Sequence, residues 1–231
     1  MSELYDILTE TPPTKVVLLA LDQGLWDCER SLAELSALCE ANHMEAVAQI
    51  TQKRQTPETG IVLGSGKLEE ASLAAQTLGA ECAVFDGELT GSQIRNISNA
   101  LGGLEVIDRT MLILEIFRSR AETLVQKLLA DAPESELVIQ SLLPVTASQD
   151  EKGSYVNNQR ILAYNQVWME LSQQYGCPYL NVAEALTDEN GCLPEELSFD
   201  GVHLNRAGCG RWLDYLRTHS VPDTAPAETD K

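Results

Sequence analysis

Residues 15–21, Lys15-Val16-Val17-Leu18-Leu19-Ala20-Leu21, run straight into Asp22-Gln23-Gly24. Six apolar residues behind one lysine are too few for a buried helix, and a turn signal stops them. The stretch reads as a buried strand. Such a strand needs cover on both faces, and the flanking sequence supplies it. Residues 31–41 have helical periodicity, with Ser31 and Glu34 spaced as a capping box. Residues 45–51 read as a second strand, and 67–78 as a helix stopped by Gly79. Residues 82–85 read as a third strand, 90–101 as a helix stopped by Gly102-Gly103, and 105–107 as a short fourth strand. A helix follows from 111 to 127 or beyond. After Asp131-Ala132-Pro133 the alternation resumes. A strand is expected at 136–143, a helix at 157–175, a strand at 179–182, a loop at 188–199 and a final helix at 205–218. Strands alternating with helices predict an α/β fold, a three-layer α/β/α sandwich around a mainly parallel sheet, flavodoxin-like in layout. One composite sheet of about six strands is expected, with two lobes joined by a helix as the alternative.

The 231 residues can bury a core without staples. Aromatics are only 5%, so that core rests on Leu, Ile, Val and Ala. Sixteen Lys plus Arg stand against 35 Asp plus Glu, a net charge of −19. That balance repels polyphosphate and argues against nucleic-acid binding driven by overall charge. No apolar stretch approaches the ~20 residues of a membrane span, so no membrane association is expected. Residues 1–14 form an acidic arm containing Pro12-Pro13, without the basic start and apolar centre of a signal peptide. A cytoplasmic location is the expectation. The six cysteines show no CxxC spacing and suit reduced thiols better than a zinc site or disulfide frame. Neither a metal nor a cofactor is called for. Residues 220–231 read as a loose polar tail.

Two places carry chemistry. The first is Gly64-Ser65-Gly66-Lys67, leading into a helix. It is not a phosphate loop: Ile61 stands where the first glycine is needed, and Leu68 where magnesium needs Ser or Thr. Loop amides with Ser65, Gly66 and Lys67, together with Arg54 from the basic cluster Gln52-Lys53-Arg54, make a candidate anion site. The plainer reading is a tight turn whose lysine is solvated. The second is Phe199-Asp200-Gly201-Val202-His203-Leu204-Asn205. A carboxylate three residues before an imidazole, in a glycine turn, can hold one ring nitrogen and leave the other free as a base. On those residues alone, a turn Asp and a partly buried His with no role is the plainer reading.

From about residue 15 to 123 the chain resembles the N-terminal domain of HflX-type GTPases. The resemblance is carried by Gln52-Lys53-Arg54, Gly64-Ser65-Gly66-Lys67, Phe85-Asp86-Gly87-Glu88-Leu89, Gln93 with Arg95-Asn96, Val106-Ile107-Asp108-Arg109-Thr110, and the stretches 112–117 and 120–123. In that family the domain is a small α/β unit ahead of a helical hairpin and a GTP-hydrolysing domain, and the whole acts on ribosomes. This chain leaves the pattern after Thr123, so GTP hydrolysis is not implied. A ribosome- or nucleotide-associated binding module is the alternative function. Charge disfavours it, since residues 1–123 hold nine basic against nineteen acidic residues, a net of −10.

From about 124 to 219 the chain resembles the C-terminal half of SGNH (GDSL-type) hydrolases. The resemblance is carried by the Asp200–His203 turn, Gly191, the turn at Gly208, Arg211-Trp212, residues 139–144, and Asn157 with Asn165. It implies an SGNH-like α/β sandwich acting on small esters or acylated carbohydrates, with His203 as general base and Asp200 as its partner. The family's serine follows its first strand, where this chain has Gln23, and its GxND oxyanion motif occurs nowhere here. The whole reads as a chimera joined near 121–128: an arm (1–14), an HflX-type unit (15–123), an SGNH-type half (124–219) and a tail (220–231). It keeps the acid–base pair and lacks the attacking hydroxyl, so little or no ester hydrolysis is expected. A fusion without an evolved function is a third reading.

Overall fold

The computed structural model describes residues 12–152 and 156–219. The arm up to residue 11 and the tail from 220 lie outside them. The chain divides into two compact units, Met1–Ile116 and Phe117–Lys231.

The first unit holds β1 (Thr14–Asp22), α1 (Cys28–Ala41), β2 (Met44–Lys53), α2 (Ser65–Leu78), β3 (Cys82–Phe85), α3 (Gly91–Ala100), β4 (Glu105–Asp108) and the start of α4 (Arg109–Asp131). The four strands are parallel, in the order β2-β1-β3-β4. Strand geometry turns successive side chains to opposite faces, and β1 obeys this residue by residue. Val17, Leu19 and Leu21 pack with Leu68, Ala71 and Ala75 of α2 and Ile97 of α3. Val16, Leu18 and Ala20 pack with Leu32, Leu35 and Cys39 of α1 and Leu112 of α4. The two clusters make the three layers. A register shift between Val16 and Val17 bulges the β1–β2 pair.

Local chemistry sets the helix ends. Asp27, not Ser31, caps α1: its carboxylate accepts from the Arg30 amide, and the helix starts three residues before the expected box. Thr90 and Gln93 form a true capping box on α3. Gly79 closes α2 in the left-handed conformation, at φ +70°.

The second unit holds the rest of α4, then β5 (Ile139–Gln140), α5 (Ala147–Asp150), α6 (Asn158–Tyr175), β6 (Tyr179–Leu180), two short 3-10 turns and α7 (Arg206–Thr218). Phe117 of α4 meets Tyr164 and Trp168 of α6, the latter edge-on at 5.7 Å between centroids. A smaller core of Leu186, Leu193 and Leu197 lies beneath Trp212 and Leu204.

The expectation of one six-stranded sheet is corrected by the pairing. The strands form one four-stranded sheet and one two-stranded parallel sheet, β5-β6. Strand β5 is two residues long rather than the expected eight, and past its C-terminal end Leu142 is bonded to Asn165 of α6. The Asn165 amide accepts from the Leu142 N–H at 2.7 Å and donates to the Leu142 carbonyl at 3.0 Å, so both backbone groups of Leu142 are bonded outside the sheet. Beyond Leu180, β6 turns into a 3-10 segment, Val182–Leu186, whose Ala183 N–H donates to the Ser141 hydroxyl.

Candidate functional site

The turn between the second 3-10 segment (Glu195–Leu197) and α7 brings Asp200 and His203 together. Asp200 Oδ1 accepts the backbone amides of His203 at 2.7 Å and Val202 at 2.9 Å. Its Oδ2 lies 2.7 Å from His203 Nδ1. The His203 amide, then its ring, then the Val202 amide hold the Asp200 carboxyl down to about 2, so it is ionised at neutral pH. An ionised carboxylate only accepts, so Nδ1 carries the proton toward it, and in the neutral imidazole the lone pair is on Nε2. The imidazole side chain is 71% exposed and the carboxylate 39%. The Phe199 ring stacks on the imidazole, with centroids 5.8 Å apart and planes 14° from parallel.

The turn is pinned from below. Gly201 sits at φ +90°, where a side chain would be strained, and a Cβ there would come within 2.9 Å of Thr146 Oγ1 and 3.0 Å of Gln149 Cβ. The Gly201 carbonyl accepts the Thr146 amide. The Ser198 hydroxyl accepts the Gly201 and Asp200 amides and donates to the His203 carbonyl. Ser198 and Leu204 pair in an antiparallel bridge that closes the turn. Asn205 then caps α7 by accepting from Ala207 and Gly208, while its amide donates to the carbonyls of Glu196 and Ser198. Gly208, expected in a turn, lies inside α7. Among the described residues, no hydrogen bond joins the His203 ring to a serine hydroxyl.

The other residues of the C-terminal pattern support structure. Asn157 accepts from the Arg160 amide to cap α6. Gln140 accepts from the Trp212 indole at 3.3 Å. Gly191 takes φ +82° in a turn organised by Asp188, which accepts from the Asn190 and Cys192 amides.

The N-terminal candidate anion site is built differently. Gln52 Oε1 accepts the Gly64 amide at 2.7 Å, which ties the glycine turn to β2. Lys67 Nζ lies 2.7 Å from Glu70, and Arg54 Nη1 lies 2.6 Å from Glu58. Both cations are thus matched to carboxylates on the same stretch of chain. Ser65 opens α2 behind Gly64, with no side-chain cap bond. A Cβ on Gly66 would meet nothing within 4 Å, so space does not demand that glycine.

Reading the sequence for chemistry missed a charged cluster in the same unit. Arg109 bonds Asp86 at 3.0 Å, Ser31 at 3.0 Å and Glu34 at 3.1 Å, and the Asp86 side chain is only 4% exposed. The neighbouring Asp108 accepts the Leu89 and Met111 amides, holding the loop after β3 and the start of α4. Asp86, Asp108 and Arg109 all stand in the segments that carry the HflX resemblance, which was the available signal. Among the described residues, no cluster of three His, Cys, Asp or Glu could hold a metal ion, and no helix is long and apolar enough to cross a membrane.

Comparison with known proteins gives two matches that overlap at residues 99–118. Residues 29–118 match the family described as GTP-binding GTPase N-terminal, and residues 99–211 match the GDSL-like lipase/acylhydrolase family. GTPase HflX of Alkalihalophilus pseudofirmus is 38% identical over 114 residues, which is 49% of this chain and 27% of that protein. GTPase HflX of Escherichia coli is 39% identical over 92 residues, 40% of this chain and 21% of that protein. The chain therefore spans about a quarter of the length of these relatives. Among solved structures, a GDSL-like lipase from Bacteroides thetaiotaomicron aligns over 94% of this chain and 92% of its own, with 14% identity and TM-score 0.33. A GTP-binding protein from Sulfolobus solfataricus aligns over 78% and 54%, with 16% identity and TM-score 0.37. The chain thus resembles two families in succession, an HflX-type GTPase N-terminal domain in its first half and GDSL-like acylhydrolases in its second.

Proposed function

We propose that this chain keeps the acid–base half of a GDSL-type hydrolase, Asp200 and His203, without the serine nucleophile that would complete it. Hydrolysis of small esters or acylated carbohydrates through an acyl-serine is then slight or absent. The observation that carries the reading is the turn itself. A carboxylate orients an exposed imidazole, and no serine hydroxyl is bonded to that ring among the described residues. Two features support it. Gln23, at the end of β1 where the resemblance would put the serine, donates its amide to the Gln55 carbonyl. The GxND stretch that would bring an oxyanion donor is missing from the sequence.

The same reading puts the join of the two segments near residues 121–128, and GTP hydrolysis outside the chain's abilities. A ribosome- or nucleotide-associated module built on residues 15–123 has less behind it. Lys67 and Arg54 already face Glu70 and Glu58, and residues 1–123 carry a net charge of −10.

A serine-directed fluorophosphonate probe tests the reading. The expected result is no labelling that depends on His203. One serine labelled in the native chain and unlabelled in His203→Ala would overturn it.

A further inference from the structure

Phe199 and His203 both project into solvent, 72% exposed as a residue and 71% as a side chain. Their planes are nearly parallel, so an apolar face stands beside the imidazole whose Nδ1 is held by Asp200. The arrangement is held before any ligand arrives. Asp200 fixes the tautomer from one side, Ser198 bonds the turn from within, and Thr146, itself fully buried, holds Gly201 from below. A fixed base beside a flat apolar surface suits one class of ester: a small acyl group on a phenol. The aryl ring can stack on Phe199 while the carbonyl lies near Nε2. A phenolate is also a stable leaving group, which matters where oxyanion donors are lacking.

We propose that Phe199 and His203 bind and slowly hydrolyse aryl esters without a serine, with Phe199 as the specificity-determining ring. The inference rests on reading Asp200–His203 as an acid–base pair. His203 Nε2 takes a proton from a water molecule as the water oxygen bonds to the carbonyl carbon. The tetrahedral adduct collapses with cleavage of the bond between carbonyl carbon and phenolic oxygen. The phenolate takes up the proton that the imidazolium releases, and a carboxylic acid is left. No electron changes hands beyond these bonds.

The test uses the full chain with two esters of the same acid, p-nitrophenyl acetate and vinyl acetate, of which only the first has a ring. His203→Ala should lower kcat/KM for the aryl ester by about tenfold or more, the low end of general-base catalysis. His43→Ala and His219→Ala should leave it unchanged, which separates this imidazole from the other two histidines. Phe199→Ala should raise KM for p-nitrophenyl acetate by about threefold at steady kcat, the loss of one stacking contact, and should not alter vinyl acetate. Equal rates in the three histidine variants would overturn the inference, as would a Phe199→Ala effect shared by both esters. Those results leave the serine-free reading standing. An acetyl group recovered on a serine after acid quenching would overturn that reading and the inference together.

Discussion

Gly208 rides against the carbonyl of Leu197: a Cβ built on it would fall 2.5 Å from that oxygen and 3.0 Å from Leu204 Cδ2. The approach lets the first turn of α7 sit directly on the 3-10 segment that precedes the Asp200 turn. The side chain of Asn205, which caps α7, bonds the carbonyls of Glu196 and Ser198 across the same junction. The absence of a side chain at one position therefore helps fix where the acid–base turn sits on its helix.

Gly208→Ala should destabilise the chain by about 1–3 kcal/mol, the usual cost of overpacking a tight contact. Gly210→Ala is the matched control. It lies in the same helix with nothing within 4 Å of its Cβ, and it should be neutral or stabilise by about 0.5–1 kcal/mol through backbone entropy. Urea unfolding of both variants checks the sign difference. Equal effects would mean that the Leu197 carbonyl is farther away than described.

Arg109 and Asp86 give a second prediction. Asp86 is nearly buried, and Arg109 meets it from the start of α4. Arg109→Met would leave that carboxylate without its guanidinium. The expected cost is about 3–5 kcal/mol, as for other buried pairs with one partner removed. Arg54→Ala removes one side of an exposed pair and should stay within about 0.5 kcal/mol. Denaturant midpoints of the two variants decide between them.

The elements were legible where one local signal decided them. Strand β3 falls on the expected residues 82–85, because an apolar run between two turns has no competing partner. What stayed hidden depended on side chains far apart in sequence. Ser31 and Glu34 have the spacing of a capping box, yet both are drawn to Arg109, more than seventy positions away, and Asp27 takes the cap. Residues 136–143 have the composition of a long strand, but only Ile139–Gln140 pairs, and Leu142 beyond it bonds the Asn165 amide of α6 instead. The Asp200–His203 pair was legible because both members lie in one turn. Phe199 was not singled out, since an isolated phenylalanine carries no signal until its ring is seen on the imidazole.

Thiol reactivity gives a third prediction. Burial, aided by Glu40, pushes the Cys39 thiol up to about 11. Burial, aided by Glu105, pushes Cys82 up to about 12. Neither has a useful thiolate fraction at pH 8, and both lie in the core beside β1. Cys209 is exposed on α7. A disulfide reagent at pH 8 should modify Cys209 fast, and Cys39 and Cys82 only after denaturant is added. Peptide mapping of the labelled cysteines measures the order, and early labelling of Cys82 would contradict the packing of α1 and α4 on the sheet.

The last prediction follows from the Asp200 carboxyl. Its ordinary value is 3.8, and two backbone amides and the His203 ring lower it to about 2. A folded-state value below the unfolded one means that the carboxylate stabilises the turn fully above about pH 4. That contribution is lost as pH falls from 3.8 toward 2, when protonation removes the acceptor from the amides of Val202 and His203. Carboxyl carbon NMR of Asp200 should titrate with a midpoint near 2, and the amide shifts of Val202 and His203 should move with it. In Asp200→Asn those two amides should show no such transition. A midpoint near 3.8 would mean that the carboxylate is not held by the turn, and that His203 lacks the orientation on which its role as a base depends.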